Sequence, residues 1–101
     1  MVARPDVDLE IVNRSTESLR NTTAHFDDSI CEWGAVGKTF TAAYLFFPNP
    51  VSMDVELHWD ESSGHRVEKI DLRKIYPAGK SGRLTFTVFD DRVEATFKPA
   101  E

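Results

Sequence analysis

The sequence predicts an all-β protein, a single antiparallel β-sandwich of seven to eight strands, and three observations carry that expectation. Apolar and polar residues alternate over several short stretches, turn-forming residues punctuate the chain about every 8 to 12 positions, and no stretch sustains an apolar period of about 3.6. The clearest alternation is over residues 53–59, Met-Asp-Val-Glu-Leu-His-Trp. A side-chain period of two puts Met53, Val55, Leu57 and Trp59 on one face and Asp54, Glu56 and His58 on the other, which is the pattern of a half-buried strand. This is the expected central strand. A small β-barrel is the alternative architecture.

Residues 1–6 read as a loose lead-in, set off by Pro5 and Asp6. Val7, Leu9 and Ile11 then alternate with Asp8, Glu10 and Val12 as a first strand, and residues 13–18 form a polar turn. Residues 19–26 form a strand with Arg20, Thr22, Ala24 and Phe26 on one side and Leu19, Asn21, Thr23 and His25 on the other. Asp27, Asp28 and Ser29 break it, and a short apolar segment, 30–33, ends at Gly34. Gly34 and Gly37 predict a hairpin or bulge between Trp33 and Thr39. Residues 39–47 carry no charge, as in a strand buried on both faces or one whose outer face meets a partner; Pro48 and Pro50 stop it. After the central strand, residues 61–64 turn the chain. A strand over 65–76 then places Ile70 and Leu72 inward and Lys69, Asp71 and Arg73 outward; Val67 is out of phase, which predicts a bulge or a late start. Residues 77–82 are the longest loop signal. Leu84, Phe86 and Val88, then Val93, Ala95 and Phe97, mark two final strands around Asp90 and Asp91, and Pro99 ends the second.

A chain of 101 residues holds one core, so residues 1–101 are expected as one domain. Its 41% apolar and 29% charged residues lie near globular averages. The lone Cys31 has no partner for an internal disulfide. Twelve basic and seventeen acidic residues give 12 − 17 = −5, without the Lys/Arg cluster that nucleic-acid binding draws on. No apolar run approaches the ~18 residues of a membrane span. No signal-peptide core follows Met1 either, which fits a cytoplasmic protein or an extracytoplasmic segment whose signal has been removed.

Several residues invite a chemical reading. Gly37-Lys38-Thr39 matches the end of a phosphate-binding loop, but Glu32 stands where that loop needs its first glycine, and no helix is expected to follow. Cys31 with His25 or His58 would make a thiol nucleophile and its base, yet no local signature surrounds it, and a small buried hydrophobe is the better account. The histidines lack close metal-ligand spacing, so a zinc site would have to be assembled from distant strands; His58 and His65 read as surface residues. Three strand ends, at Phe26-Asp27-Asp28, Trp59-Asp60-Glu61 and Phe89-Asp90-Asp91, could gather six carboxylates around Ca²⁺, though solvated turns explain them more simply. No catalytic, cofactor or metal residue is assigned. The expectation is a protein that is not an enzyme and takes no cofactor.

In strand count and turn spacing the chain resembles an immunoglobulin or fibronectin type III module in general plan, without the cysteine pair of antibody domains. The function expected is non-enzymatic binding of a protein partner through a sheet edge or the end loops. Trp33, beside the glycine turn, Tyr44, Phe46 and Phe47, in the uncharged stretch, and Asn49 are the candidate partner-binding residues. One alternative is a small acidic inhibitor or immunity-type protein that neutralises a basic toxin or enzyme, which requires its acids on one face. The other is a metal-dependent, Ca²⁺-binding sandwich.

Overall fold

The alternating stretches fold as strands in a computed structural model that describes residues 6–100. In chain order they are β1 (Val7–Asn13), β2 (Leu19–His25), β3 (Ile30–Val36), β4 (Thr41–Tyr44), β5 (Asp54–Glu61), β6 (Gly64–Asp71), β7 (Gly82–Val88) and β8 (Val93–Pro99). The described residues contain no helix, hence none long and apolar enough to cross a membrane. Two four-stranded sheets form, in the orders β4-β1-β7-β8 and β3-β2-β5-β6. They enclose one apolar core, in which Leu9, Ile11 and Phe86 of the first sheet meet Leu19, Leu57 and Trp59 of the second, all fully buried. Among the described residues the two sheets remain separate, a sandwich rather than a closed barrel. Most of the expected lead-in, residues 1–5, lies outside the described residues. Asp6 is tied down: its N–H donates to Ser81 Oγ (2.9 Å) and its carbonyl accepts from Gly82 N (3.0 Å).

The ladders are antiparallel with one exception. Strand β1 runs parallel to β7, from Val7 opposite Gly82 to Asn13 opposite Val88. A tight turn forces its two strands to be antiparallel, as in the β7–β8 hairpin. Between β1 and β7 the chain crosses to the other sheet and back, so no turn dictates their relative sense.

Strand β5 takes the interior position expected of the central strand, between β2 and β6, with Val55, Leu57 and Trp59 buried. Glu61 continues that inward phase at 9% exposure. Its carboxylate accepts from Trp59 Nε1 (3.4 Å), Ser63 Oγ (3.2 Å) and Arg66 Nη1 (3.2 Å). The Arg66 guanidinium lies 5.2 Å over the Trp59 ring and also bonds Glu68 (2.9 Å). Arg66 and Glu68 thus occupy inward positions of β6 as an ion pair. This corrects the bulge expected at Val67: the β5–β6 register is unbroken, and Val67 lies outside at 43% exposure. The strand also ends at Asp71, because the N–H groups of Ile75 and Tyr76 both turn back to the Leu72 carbonyl (3.0 and 2.8 Å).

Strand β2 departs from strict alternation. Asn21 has a φ of 50°, and the register shifts between Leu19 and Thr22, so both of these residues face inward. Gly34 lies opposite Thr22 with a φ of 78°, a conformation that suits glycine and marks a bulge. The expected irregularity after Trp33 is therefore present, and β3 runs through it to Val36. Asn13, read as a turn residue, is instead the fully buried end of β1.

Trp59→Ala is expected to cost about 3 to 5 kcal/mol of unfolding free energy, by lost burial and a residual cavity. Urea denaturation measures this directly. A loss below about 1 kcal/mol, the size typical of surface substitutions, would contradict the inward placement of the ring.

Candidate functional site

The uncharged stretch 39–47 is not buried on both faces. Phe40, Tyr44, Leu45 and Phe46 are exposed at 66%, 39%, 54% and 68%, and only Phe47 enters the core. The physical reason is that β4 pairs with β1 alone, Val12 opposite Thr41 through Leu9 opposite Tyr44, at the edge of its sheet. No other strand among the described residues pairs with β4.

Local bonding holds this edge in place. Thr39 has a φ of 65° and donates its N–H to the Asn13 carbonyl (3.1 Å), while the Phe40 carbonyl accepts from Asn13 N (3.0 Å). The Phe40 ring lies against the bare Cα of Gly37, where a Cβ would come within 2.6 Å of it. At the other end Phe46 has a φ of 54° and donates its N–H to Asp8 Oδ1 (2.9 Å), and Phe47 N–H bonds the Val7 carbonyl (2.8 Å). A bulky residue in the left-handed region costs about 1 to 3 kcal/mol and persists where its surroundings over-determine it. The turn sends consecutive phenylalanines opposite ways. Phe46 points to solvent, and Phe47 packs 5.5 Å from Phe26 and edge-on to Tyr44 at 5.6 Å.

Of the five candidate residues, Tyr44 and Phe46 are exposed, Tyr44 at the end of β4 against Phe47 and Phe46 beside Asp8, Arg83 and Pro99. Asn49 is exposed and lines a pocket of about 160 Å³ with Val7, Pro48, Val51 and Tyr76. Phe47 forms part of the core below them. Trp33 is half-buried rather than free: its Nε1 donates to the Leu9 carbonyl (3.0 Å) and its ring meets Phe86 edge-on at 6.1 Å. Sequence reasoning left out Phe40 and Leu45, whose only signal was membership of the uncharged stretch.

The cysteine, the glycine-lysine-threonine stretch and the acidic strand ends do not assemble into the sites they suggested. Cys31 is buried on the inner face, opposite Ala24, whereas His25 belongs to the outer face of the same sheet. Burial, helped by the charge of Glu32, pushes the Cys31 thiol up to about 12, so it stays protonated at neutral pH. Gly37, Lys38 and Thr39 form a turn between two strands, without the helix that a phosphate loop needs. The acidic strand ends occupy both poles. Asp90 accepts from Thr16 N and Oγ1, and Glu17, in the same loop, bonds Ser62 next to Glu61, whereas Asp27 lies at the opposite pole beside Ser52. Acids pair with Arg66 and Arg73 on one sheet and with Arg83 and Arg92 on the other, so negative charge is spread over both.

The outer face of the β3-β2-β5-β6 sheet brings the three histidines together across three strands. The His25 and His58 rings lie 4.0 Å apart between centroids, and His58 and His65 lie 5.4 Å apart. Burial, then the neighbouring His58, lower the His25 pKa against the opposing pull of Glu56.

No protein-family model matches the chain, and no curated protein matches it. Among solved structures, an NMR structure of a protein from Eubacterium rectale is similar, with a TM-score of 0.61 and 12% identity over 95% of this chain and 91% of that one. At that identity the likeness shows the fold alone.

The lowered His25 pKa makes a prediction about acid stability. The unfolded chain takes up this proton more readily than the folded one, so the stability His25 contributes is complete above about pH 6.5 and is lost as the pH falls toward its lower folded-state value. Thermal unfolding followed from about pH 7.5 to about 5.5 should show a falling Tm, with a smaller fall in His25→Gln. An equal fall in both proteins would contradict the assignment.

Proposed function

We propose that this protein is a non-enzymatic interaction module that binds a protein partner along β4, the partner adding an extended segment to the β4-β1-β7-β8 sheet. The observation that carries the reading is Phe46, a large apolar ring held 68% exposed on a backbone of φ 54°. Strain of this kind concentrates at functional sites. Phe40, Tyr44 and Leu45, in and beside β4, are exposed apolar side chains as well. Natural proteins protect edge strands by shortness, charge or proline; the four residues Thr41-Ala-Ala-Tyr44 are short but carry neither charge nor proline. Main-chain bonds from β4 would supply affinity, and the apolar side chains and the pocket beside Asn49 would select the partner's side chains. The general plan is immunoglobulin- or fibronectin-like on this reading, supported by two four-stranded sheets in 101 residues.

A photo-crosslinking phenylalanine analogue at Phe46, used in the source cells, should capture a discrete protein that the same analogue at exposed Arg92 does not. Identical adducts from both positions, or none from position 46, would overturn the proposal. A companion variant separates binding from folding. Phe46→Gly should lose the adduct partner in pull-down while keeping its stability, with a gain of up to about 1 kcal/mol as the backbone strain is relieved. A loss of more than about 1 kcal/mol would show that the exposed ring serves the fold instead.

A further inference from the structure

The outer face of the β3-β2-β5-β6 sheet lies away from β4, and what it holds stands independently of the partner reading. On β5, His58 Nε2 lies 3.1 Å from Glu56 Oε1; on β6, His65 Nδ1 lies 2.7 Å from Asp60 Oδ1. An ionised carboxylate can only accept, so each of these ring nitrogens carries the hydrogen it donates. The remaining nitrogens, His58 Nδ1 and His65 Nε2, face each other 3.2 Å apart. With both rings neutral, the carboxylates have fixed the tautomers so that each inner nitrogen presents a lone pair. Two lone pairs at that separation repel, and a cation between them turns repulsion into binding.

We propose that His58 Nδ1 and His65 Nε2 chelate a divalent transition-metal ion of the zinc class, with Glu56 and Asp60 orienting the two rings. A metal at the usual distance of about 2.0 to 2.1 Å from each imidazole nitrogen would span the 3.2 Å gap with an N–metal–N angle of about 100°, close to tetrahedral. A carboxylate on the far nitrogen is the support that metal-binding histidines recurrently have, because it sets the ring's orientation and strengthens the donor. The β5–β6 register creates the site. His65 lies opposite Asp60, and His58 lies one diagonal step away on the same face, within reach for long side chains. His25 backs His58 from β2 and keeps its Nε2 on the Thr23 hydroxyl (3.0 Å).

Among the described residues no group of three or more His, Cys, Asp or Glu forms a preformed metal cage. The site is therefore an open two-nitrogen chelate whose other positions belong to water or an incoming ligand. The His65 side chain is 54% exposed and that of His58 22%, which leaves the ion a way in.

Titration of the full chain with zinc chloride near pH 7.5, by calorimetry and by ¹⁵N spectra of the imidazoles, tests this. The expected result is one zinc per chain, with the coordination shift confined to His58 Nδ1 and His65 Nε2. His58→Ala and His65→Ala should each abolish binding, Glu56→Gln and Asp60→Asn should weaken it about 10- to 100-fold, and His25→Gln should retain it. Three results would overturn the proposal: no saturable binding at millimolar zinc, coordination through His58 Nε2 or His65 Nδ1, or a proton shared by the two rings that zinc does not displace. The wild-type spectra decide the matter even where a variant fails to fold.

Discussion

The buried side chain of Asn13 is the constraint on which the exposed β4 edge of this molecule depends. Its Nδ2 donates to the carbonyls of Glu17 (2.7 Å), Val36 (3.1 Å) and Gly37 (3.2 Å), and its Oδ1 accepts from Ser15 N (2.9 Å) and Ser15 Oγ (2.6 Å). A buried amide left without partners costs about 1 to 3 kcal/mol per group, which these bonds offset. It ties the end of β1 to the end of β3 across the two sheets. The backbone of Asn13 bonds Thr39 and Phe40 as well, so the turn that launches β4 starts from a fixed point. With β1 already paired to β7 on one side, the chain leaving that turn has only the free side of β1 to join. The uncharged stretch thereby becomes an edge.

Strand β5 serves both faces of the other sheet through its period of two. Trp59 points into the core, while His58 and Asp60 on either side of it point out, and the register with β6 sets Asp60 opposite His65. At the pole, burial on its own would raise the Glu61 carboxyl. Hydrogen bonds from Arg66, Trp59 and Ser63 more than offset that and hold it below the usual range. The inner phase of β5 and β6 can therefore end in charged residues without leaving a charge unpaired.

The parts of this fold that were legible in the sequence are those where one rule acts alone. Strands β1, β5 and β7 alternate cleanly, and their buried residues are the ones their phase assigns. Strand β2 was misread in part because the bulge at Asn21 resets its phase between Leu19 and Thr22. Strand β6 was misread because Arg66 and Glu68 hold inward positions as an ion pair, which a pattern of apolar residues cannot register. An uncharged run such as 39–47 is compatible with deep burial and with an exposed edge, and the number of strands beside it decides between them. Tyr44 and Phe46 are exposed for that reason, whereas Trp33 and Phe47 are turned inward. The histidine pair has no spacing motif, since it arises from a cross-strand diagonal that appears only once the β5–β6 register is known.

The central claim is that the apolar edge at β4 is preformed rather than frayed. Amide hydrogen exchange on the free protein tests it most directly, read at Thr39 and Phe47, whose N–H groups bond Asn13 and Val7. The account predicts protection at both amides approaching that of the β5 core. Exchange at the rate of an unstructured peptide would contradict it, and would make the exposure of Phe46 a property of a loose segment instead of a built surface.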